Sequence, residues 1–475
     1  MSSLPASLAQ RLEALRLRFI ARYGTGEVRF LSAPARINIL GEHIDYVSYL
    51  PTVSLTFGSD RHAMWMAYRP NPNGDVRGAS TNETYPPFNF SLPDASDELR
   101  VAADWETYVF SRPAPASHWS NYVRGASQYA QWQQGNAIQQ GVDFLIDSTI
   151  PACGGSSSSS ALTCLAGAAL RAVNGLAFTA HELALDSARA EWFVGTRGGA
   201  MDHQTICLSQ PGAAVVIHHD TQKTKTVALP AAGYAWVTFF SHEADKGSRV
   251  MLEYNARAAV SRIVIPTLLS AFVVPPLGVR VQSPPPEGGT TNALPEFITL
   301  SEFARNHSTA FAVCERLFPQ LVREHLREAL PVRAYAEHHA GEIRRVAQAL
   351  EWLRAEAVVT DDTMRKLGGL LNETHASLRD LYGVSTPEVE TLRDMILREP
   401  SVYGARLMGG GFGGNVLALV QAEAVSALIE KIQREFYAPQ GRNALAEGAV
   451  MVSLPEDGLR ALFLPSEQNE GSEAG

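Results

Sequence analysis

The chain has 475 residues, 45% hydrophobic and 19% charged, which is enough for two or three domains with sizeable cores. A formal net charge of −9 argues against nucleic acid or an anionic membrane as the main partner. Cys153, Cys164, Cys207 and Cys314 have no metal-type spacing and form no dense disulfide framework, the N-terminus shows no signal pattern, and no apolar stretch is long enough to span a bilayer. A cytoplasmic protein with reduced thiols is expected.

In chain order, Leu8, Leu12, Leu15 and Phe19 fall on one face of a helix predicted over 7–23, and Val28 to Leu31 opens a strand. The segment Ala33–Tyr46 places Arg36, Glu42, His43 and Asp45 in otherwise apolar surroundings. Such charges are buried only with partners, so they form either a salt-bridged turn or a polar pocket. Carboxylates and imidazole suit hydroxyl ligands. Thr52 to Ala67 is expected as strand, loop and strand, and 70–118 as mostly irregular. Trp119 to Gly125 opens a helix.

The apolar run Val142–Ile146 is predicted as a buried strand and Ala161–Val173, rich in Ala and Leu, as a helix. Between them stand Gly154, Gly155 and the serines 156–160. A helix N-terminus preceded by glycines and hydroxyls is a place for phosphate. A serine run is also the composition of a linker, though a linker would not sit between strand and helix. The Walker and dinucleotide patterns are absent.

Further on, 181–196 is helical and Gly198–His203 reads Gly-Gly-Ala-Met-Asp-His. Ala213–Val216 and Ala235–Phe240 are strand-like, 272–297 is an exposed Pro- and Gly-rich connector, and 299–358 is helical. His338 and His339 are adjacent on that helix and point about 100° apart, so they do not share a metal. Residues 406–414, Arg-Leu-Met-Gly-Gly-Gly-Phe-Gly-Gly, lie before a Val416–Val420 strand and a 422–437 helix. The Ser-, Glu- and Gly-rich tail is expected to be disordered.

The stretches 33–46, 151–160 and 406–414 together resemble the three motifs of the GHMP small-molecule kinases. Gly41-Glu42-His43-x-Asp45-Tyr46 narrows the resemblance to the galactokinase branch. Supporting segments are Trp119–Gly125, Gly198–His203, Glu253–Arg257, the helix from Arg333, and 367–392. The resemblance implies the α+β GHMP kinase fold: a ribosomal S5 domain 2-like N-terminal domain over 1–230, a ferredoxin-like C-terminal domain over 231–465, and a disordered tail over 466–475. It implies a monomer that phosphorylates a sugar, most simply D-galactose, at its anomeric hydroxyl with ATP and Mg2+. Asp202 and Arg36 become catalytic candidates, and Glu42, His43, Asp45 and Tyr254 hold the sugar. Gly154, Gly155, Ser157, Ser158 and Ser159 cradle the ATP phosphates, and Ser159 and Glu191 are the metal candidates. An N-acetylgalactosamine or other sugar 1-kinase, or a non-catalytic sugar sensor, remain the alternatives. Departures from the branch are Ala35, a 47–51 loop about two residues short, Cys153, Ser156, His203 in place of Gln, and Met408.

Overall fold

The twelve residues of β1 (Arg29–Leu40) are almost all buried, because the strand is covered on both faces. Pro34 has no N–H to give a ladder, and the register of β1 against β2 (Val53–Asn71) shifts between Pro34 and Arg36. Beyond that shift Ile37 and Ile39 enter a different core from Leu31, Ala33 and Ala35. The freed Arg36 N–H donates to the Ser156 carbonyl at 3.3 Å, so the irregularity in the strand is what docks the serine loop.

The computed structural model describes residues 5–92, 99, 102, 104–151, 154–229, 232–243, 248–269, 294–355 and 360–464. The expected connector lies outside them up to residue 293, as does the expected tail at 466–475. Among the described residues none forms a helix long and apolar enough to cross a membrane.

Among the described residues nine strands make the first sheet. After β1 and β2 come β3 (Asp75–Ser80), β4 (Phe88–Ser91), β5 (Gly141–Ser148), β6 (Ala213–His218) and β7 (Lys223–Ala228). The long β2 carries β1 along one edge. Its other edge takes β6 at Val53–Thr56, β14 (Pro455–Glu456) at Gly58–Ser59, and β5 at Met64–Asn71. A last strand, β15 (Arg460–Leu462), pairs with Phe30–Ser32 of β1. The chain thus returns to its first sheet after building the second. That second sheet is antiparallel, in the order β11 (Val402–Met408), β12 (Asn415–Gln421), β8 (Tyr234–Phe240) and β13 (Val450–Ser453).

The fold is the expected α+β arrangement, and its parts meet through side chains. Ile37, Ile39 and Phe57 of the first sheet share a core with Leu417 and Leu419 of the second and with Leu350, Met364 and Leu371 of the helices Arg333–Ala355 and Asp361–Asp380. Ile44, Tyr46, Val47 and Tyr49, just after β1, are buried in the core of the C-terminal part beside Tyr335 and Tyr382. The segment that carries the candidate sugar residues therefore bridges the two halves.

The helix predicted over 7–23 spans Ala6–Tyr23 and buries Leu12, Leu15 and Phe19 as expected. Two expectations differ. Thr52–Ala67 is not two strands but the single β2, because its extra residues are absorbed at the register shift opposite Pro34. The 70–118 region contains β3 and β4; β3 is held by parallel pairing of Val76 with Val142, a long-range contact.

Candidate active site

The serine helix runs Ser158–Val173, with Ser157 as N-cap in the left-handed region at φ +61°. Ser157 makes no side-chain cap bond, and its hydroxyl instead donates to Asp202 Oδ2 at 2.6 Å. First-turn N–H groups without a side-chain cap can receive an anion. The loop before the helix lies flat on the third glycine motif. A Cβ on Gly155 (φ +77°) would stand 2.6 Å from the Met408 carbonyl oxygen, and one on Gly409 (φ +94°) 2.8 Å from Gly155 Cα. One on Gly414 would stand 3.3 Å from the Gly154 carbonyl oxygen, and Asn415 Nδ2 donates to Ser156 Oγ at 2.7 Å. Gly155→Ala is expected to cost about 1–3 kcal/mol of stability and to raise the KM for ATP. Thermal unfolding and nucleotide titration of the variant check both.

Arg36 is 3% exposed. Its Nε donates to Asp202 Oδ1 at 2.7 Å and its Nη1 to the Gly155 carbonyl at 3.0 Å. Burial alone would raise the Asp202 pKa; the Arg36 charge and hydrogen bond, then Ser157, outweigh it and hold the carboxyl below its ordinary value. Asp202 is thus an ionised group at the serine loop, oriented from two sides.

Asp45 behaves oppositely. Burial, then the Asp202 charge, raise its pKa to about 6, against a partial opposing effect of Arg262. It lies against Gly199, where a Cβ would come 2.4 Å from Asp45 Oδ2. The raised pKa means that folding favours the neutral form. Its contribution to stability is full below the ordinary value of 3.8 and is lost as pH rises through about 6. Asp45→Asn is therefore expected to gain stability relative to the parent above pH 6 and to match it at acid pH. Melting temperatures measured across that range decide it.

His43 and Tyr254 complete this side, with ring centroids 5.9 Å apart. His43 has φ +58°, and its Nε2 is buried with no hydrogen-bond partner among the described residues. Burial, then the charges of His338 and Arg257, push its pKa well below the ordinary imidazole value, so it is neutral. Glu42 is held by other partners. Its Oε2 accepts from Arg406 Nη2 at 2.7 Å and from the Gly409 N–H at 2.9 Å. Glu42 thereby ties the end of β1 to the third glycine motif.

Glu191 ends the helix Ala180–Glu191 and accepts from Ser160 Oγ at 2.9 Å. Its Oε2 is also 2.6 Å from His203 Nε2. Burial opposes charge on His203, but Glu191 outweighs it and raises the pKa to about 9. Glu191 thus already faces a cation. Of the other serines, Ser159 accepts at its carbonyl from Thr163 Oγ1, and Ser158 is half-buried at the helix start. No cluster of three or more His, Cys, Asp or Glu with metal-binding geometry occurs among the described residues.

Residues that sequence reasoning passed over are Arg262, Tyr382 and Arg406. Arg262 donates to the Gly198 carbonyl at 2.9 Å beneath Asp45. Arg406 is wholly buried; the only signal for it was a lone Arg in an apolar strand before a glycine run.

The family models that match this chain are the GHMP kinases N terminal domain over 121–210, the GHMP kinases C terminal over 355–438, and the galactokinase galactose-binding signature over 17–50. These windows contain, respectively, the serine loop with Asp202, Arg406 with the third glycine run, and Arg36 through Asp45. The galactokinase of Chloroflexus aurantiacus is 30% identical over 423 residues, covering 88% of this chain and 90% of that one. The chain belongs to the galactokinase family of GHMP kinases. Galactokinase from Dictyostelium discoideum is 26% identical over 462 residues, covering 90% of this chain and 88% of that one. Among solved structures, Lactococcus lactis galactokinase complexed with galactose has a TM-score of 0.70 at 24% identity, covering 95% of this chain and 100% of that chain. Methanococcus jannaschii mevalonate kinase has a TM-score of 0.54 at 14% identity over 92% of this chain and 99% of its own, and shares the fold.

Proposed function

We propose that the protein transfers the γ-phosphoryl group of ATP to the anomeric hydroxyl of D-galactose, giving galactose 1-phosphate and ADP. The observation that carries this reading is the Arg36–Asp202–Ser157 cluster at an uncapped helix N-terminus, in a chain alignable with galactokinases over most of its length. Phosphoryl transfer asks the protein for positioning and charge neutralisation. The first-turn N–H groups and Ser158 and Ser159 receive the phosphates, with Gly154 and Gly155 allowing close approach. His43, Asp45 and Tyr254 hold the sugar hydroxyls. Asp202 accepts a hydrogen bond from the anomeric O–H and takes its proton as the sugar oxygen bonds to Pγ and the Pγ–O bond to ADP breaks. Its low pKa makes it a weak base, so the proton moves late. Arg36 balances Asp202 and faces charge developing on the transferred group.

Mg2+ would neutralise charge on the β- and γ-phosphate oxygens. Glu191 and the Ser159 hydroxyl supply the oxygen chemistry that this ion takes, alongside phosphate, and His203 is the competing cation. Buried free Cys164, Cys207 and Cys314 support a reducing cytoplasm, and the protein is proposed to act as a monomer.

The test is ADP release by the wild type over a panel of free sugars, beside Asp202→Ala. Turnover with galactose that is lost in the variant supports the reading. Turnover only with another hexose, such as N-acetylgalactosamine, moves the substrate and keeps the chemistry. Sugar-dependent thermal stabilisation without turnover sinks the enzyme and leaves a sensor.

A further inference from the structure

Behind His43 runs a buried line of polar side chains. Its Nδ1 is 2.9 Å from the Tyr46 hydroxyl, which is 3.0 Å from that of Tyr382. Tyr382 lies 3.4 Å from Ser261 Oγ, Ser261 3.2 Å from His339 Nε2, and His339 Nδ1 2.8 Å from the Tyr49 hydroxyl. All six residues are buried. Heavy-atom positions allow the protons to point along this line in either of two directions.

The far end decides between them. If His43 Nδ1 carried the proton and donated to Tyr46, each hydroxyl would pass its own proton away from His43. His339 Nδ1–H would then donate to Tyr49, and the buried Tyr49 O–H would have no acceptor, since His339 is its only hydrogen-bond partner among the described residues. In the opposite direction Tyr49 donates to His339, His339 Nε2–H to Ser261, Ser261 to Tyr382, Tyr382 to Tyr46, and Tyr46 to His43 Nδ1. Every hydroxyl and the His339 N–H then has an acceptor, and the one donor left over is His43 Nε2–H. The result survives loss of the long Ser261 link: Tyr382 would then have no acceptor except Tyr46. Both imidazoles are suited to this, because burial above all pushes their pKa values well below the ordinary imidazole value and holds them neutral.

We infer that Tyr46, oriented by the line from Tyr49 through His339, Ser261 and Tyr382, locks His43 as its Nε2–H tautomer, so that the sugar site presents a hydrogen-bond donor there. His43 Nε2 is the one nitrogen of this line buried without a partner among the described residues, as a group reserved for a ligand oxygen would be. The left-handed φ of +58° at His43 holds the ring in this place at the expense of backbone strain. Tyr46, Tyr382 and Tyr49 are thereby positioning residues. They act through His43 and need not touch substrate. The inference rests on the galactose reading for the identity of the acceptor, but not for the tautomer.

Long-range proton–nitrogen spectra of protein labelled with 15N-histidine read the tautomer directly, with and without galactose; His43→Gln assigns the signal. The wild type is expected to show His43 as Nε2–H. Tyr46→Phe is expected to give a tautomer mixture. The same variant should weaken galactose binding about five- to twenty-fold, the scale of one neutral hydrogen bond, with little change in kcat. An Nδ1–H or doubly protonated His43 in the wild type overturns the inference, as does a Tyr46→Phe protein that keeps a single Nε2–H form. If the wild type shows Nε2–H but does not bind galactose, the substrate assignment falls and the tautomer stands.

Discussion

Asp202→Asn is expected to lower kcat by roughly 10²–10⁴-fold, the range set by loss of a positioned base, while galactose binding changes far less. Asparagine keeps the shape and still accepts from Ser157 Oγ, now 2.6 Å from the carboxylate. It removes the negative charge that Arg36 faces and the oxygen that takes the proton. Arg36 would retain only its bond to the Gly155 carbonyl among the two described for its guanidinium. Some loss of stability is therefore expected too, and thermal unfolding with galactose calorimetry separates the effects. A kcat within about tenfold of the wild type would show that Asp202 acts as a structural counter-ion and not as the proton acceptor.

The second large effect concerns the fold. Arg406→Met leaves Glu42, 3% exposed, without its cation. Breaking a buried pair from one side costs about 3–5 kcal/mol, whereas replacing both members by apolar groups is often neutral. Arg406→Met alone is thus expected to be strongly destabilised in denaturant unfolding, and Glu42→Leu combined with Arg406→Met to recover part of the loss. Full recovery is not expected, because the Gly409 N–H also gives up its acceptor. A double variant no more stable than the single would mean that the charge of Glu42 is unimportant and that Arg406 acts through packing. Its Nε and Nη1 are already buried without hydrogen-bond partners among the described residues.

Much of this arrangement was legible in the sequence because it is local. Apolar spacing revealed the first helix, the strand before the serine loop and the helix after it. Arg36, Asp202 and Ser157 were nominated from three separate motifs, and the fold places them in contact. What escaped is non-local. β3 takes its strand form from Val142 and its neighbours, more than sixty residues away. Tyr46 and Tyr382 both stood in noticed segments, yet only the core of the C-terminal part brings their hydroxyls together. Glu42 was read as a sugar ligand from its neighbours His43 and Asp45. Its Oε2 instead bonds Arg406 and the Gly409 N–H, more than 360 residues away. His203 was noticed as a departure, but its pairing with Glu191 needed the turn between two helices.

The return of Pro455–Glu456 and Arg460–Leu462 to the first sheet also governs how the protein is made. β6, the strand beside the β14 position on β2, ends at His218. At common translation rates, roughly 10 to 50 s separate its emergence from that of residue 462. Throughout that interval the nascent chain carries open ladder positions at Phe30–Ser32 and Gly58–Ser59 next to apolar cores that still lack residues such as Leu462 and Leu464. Unpaired positions of this kind attract other extended chains. The interval before the final strands arrive is therefore when a ribosome-associated chaperone has most to protect, and slow codons late in the message would lengthen the exposure.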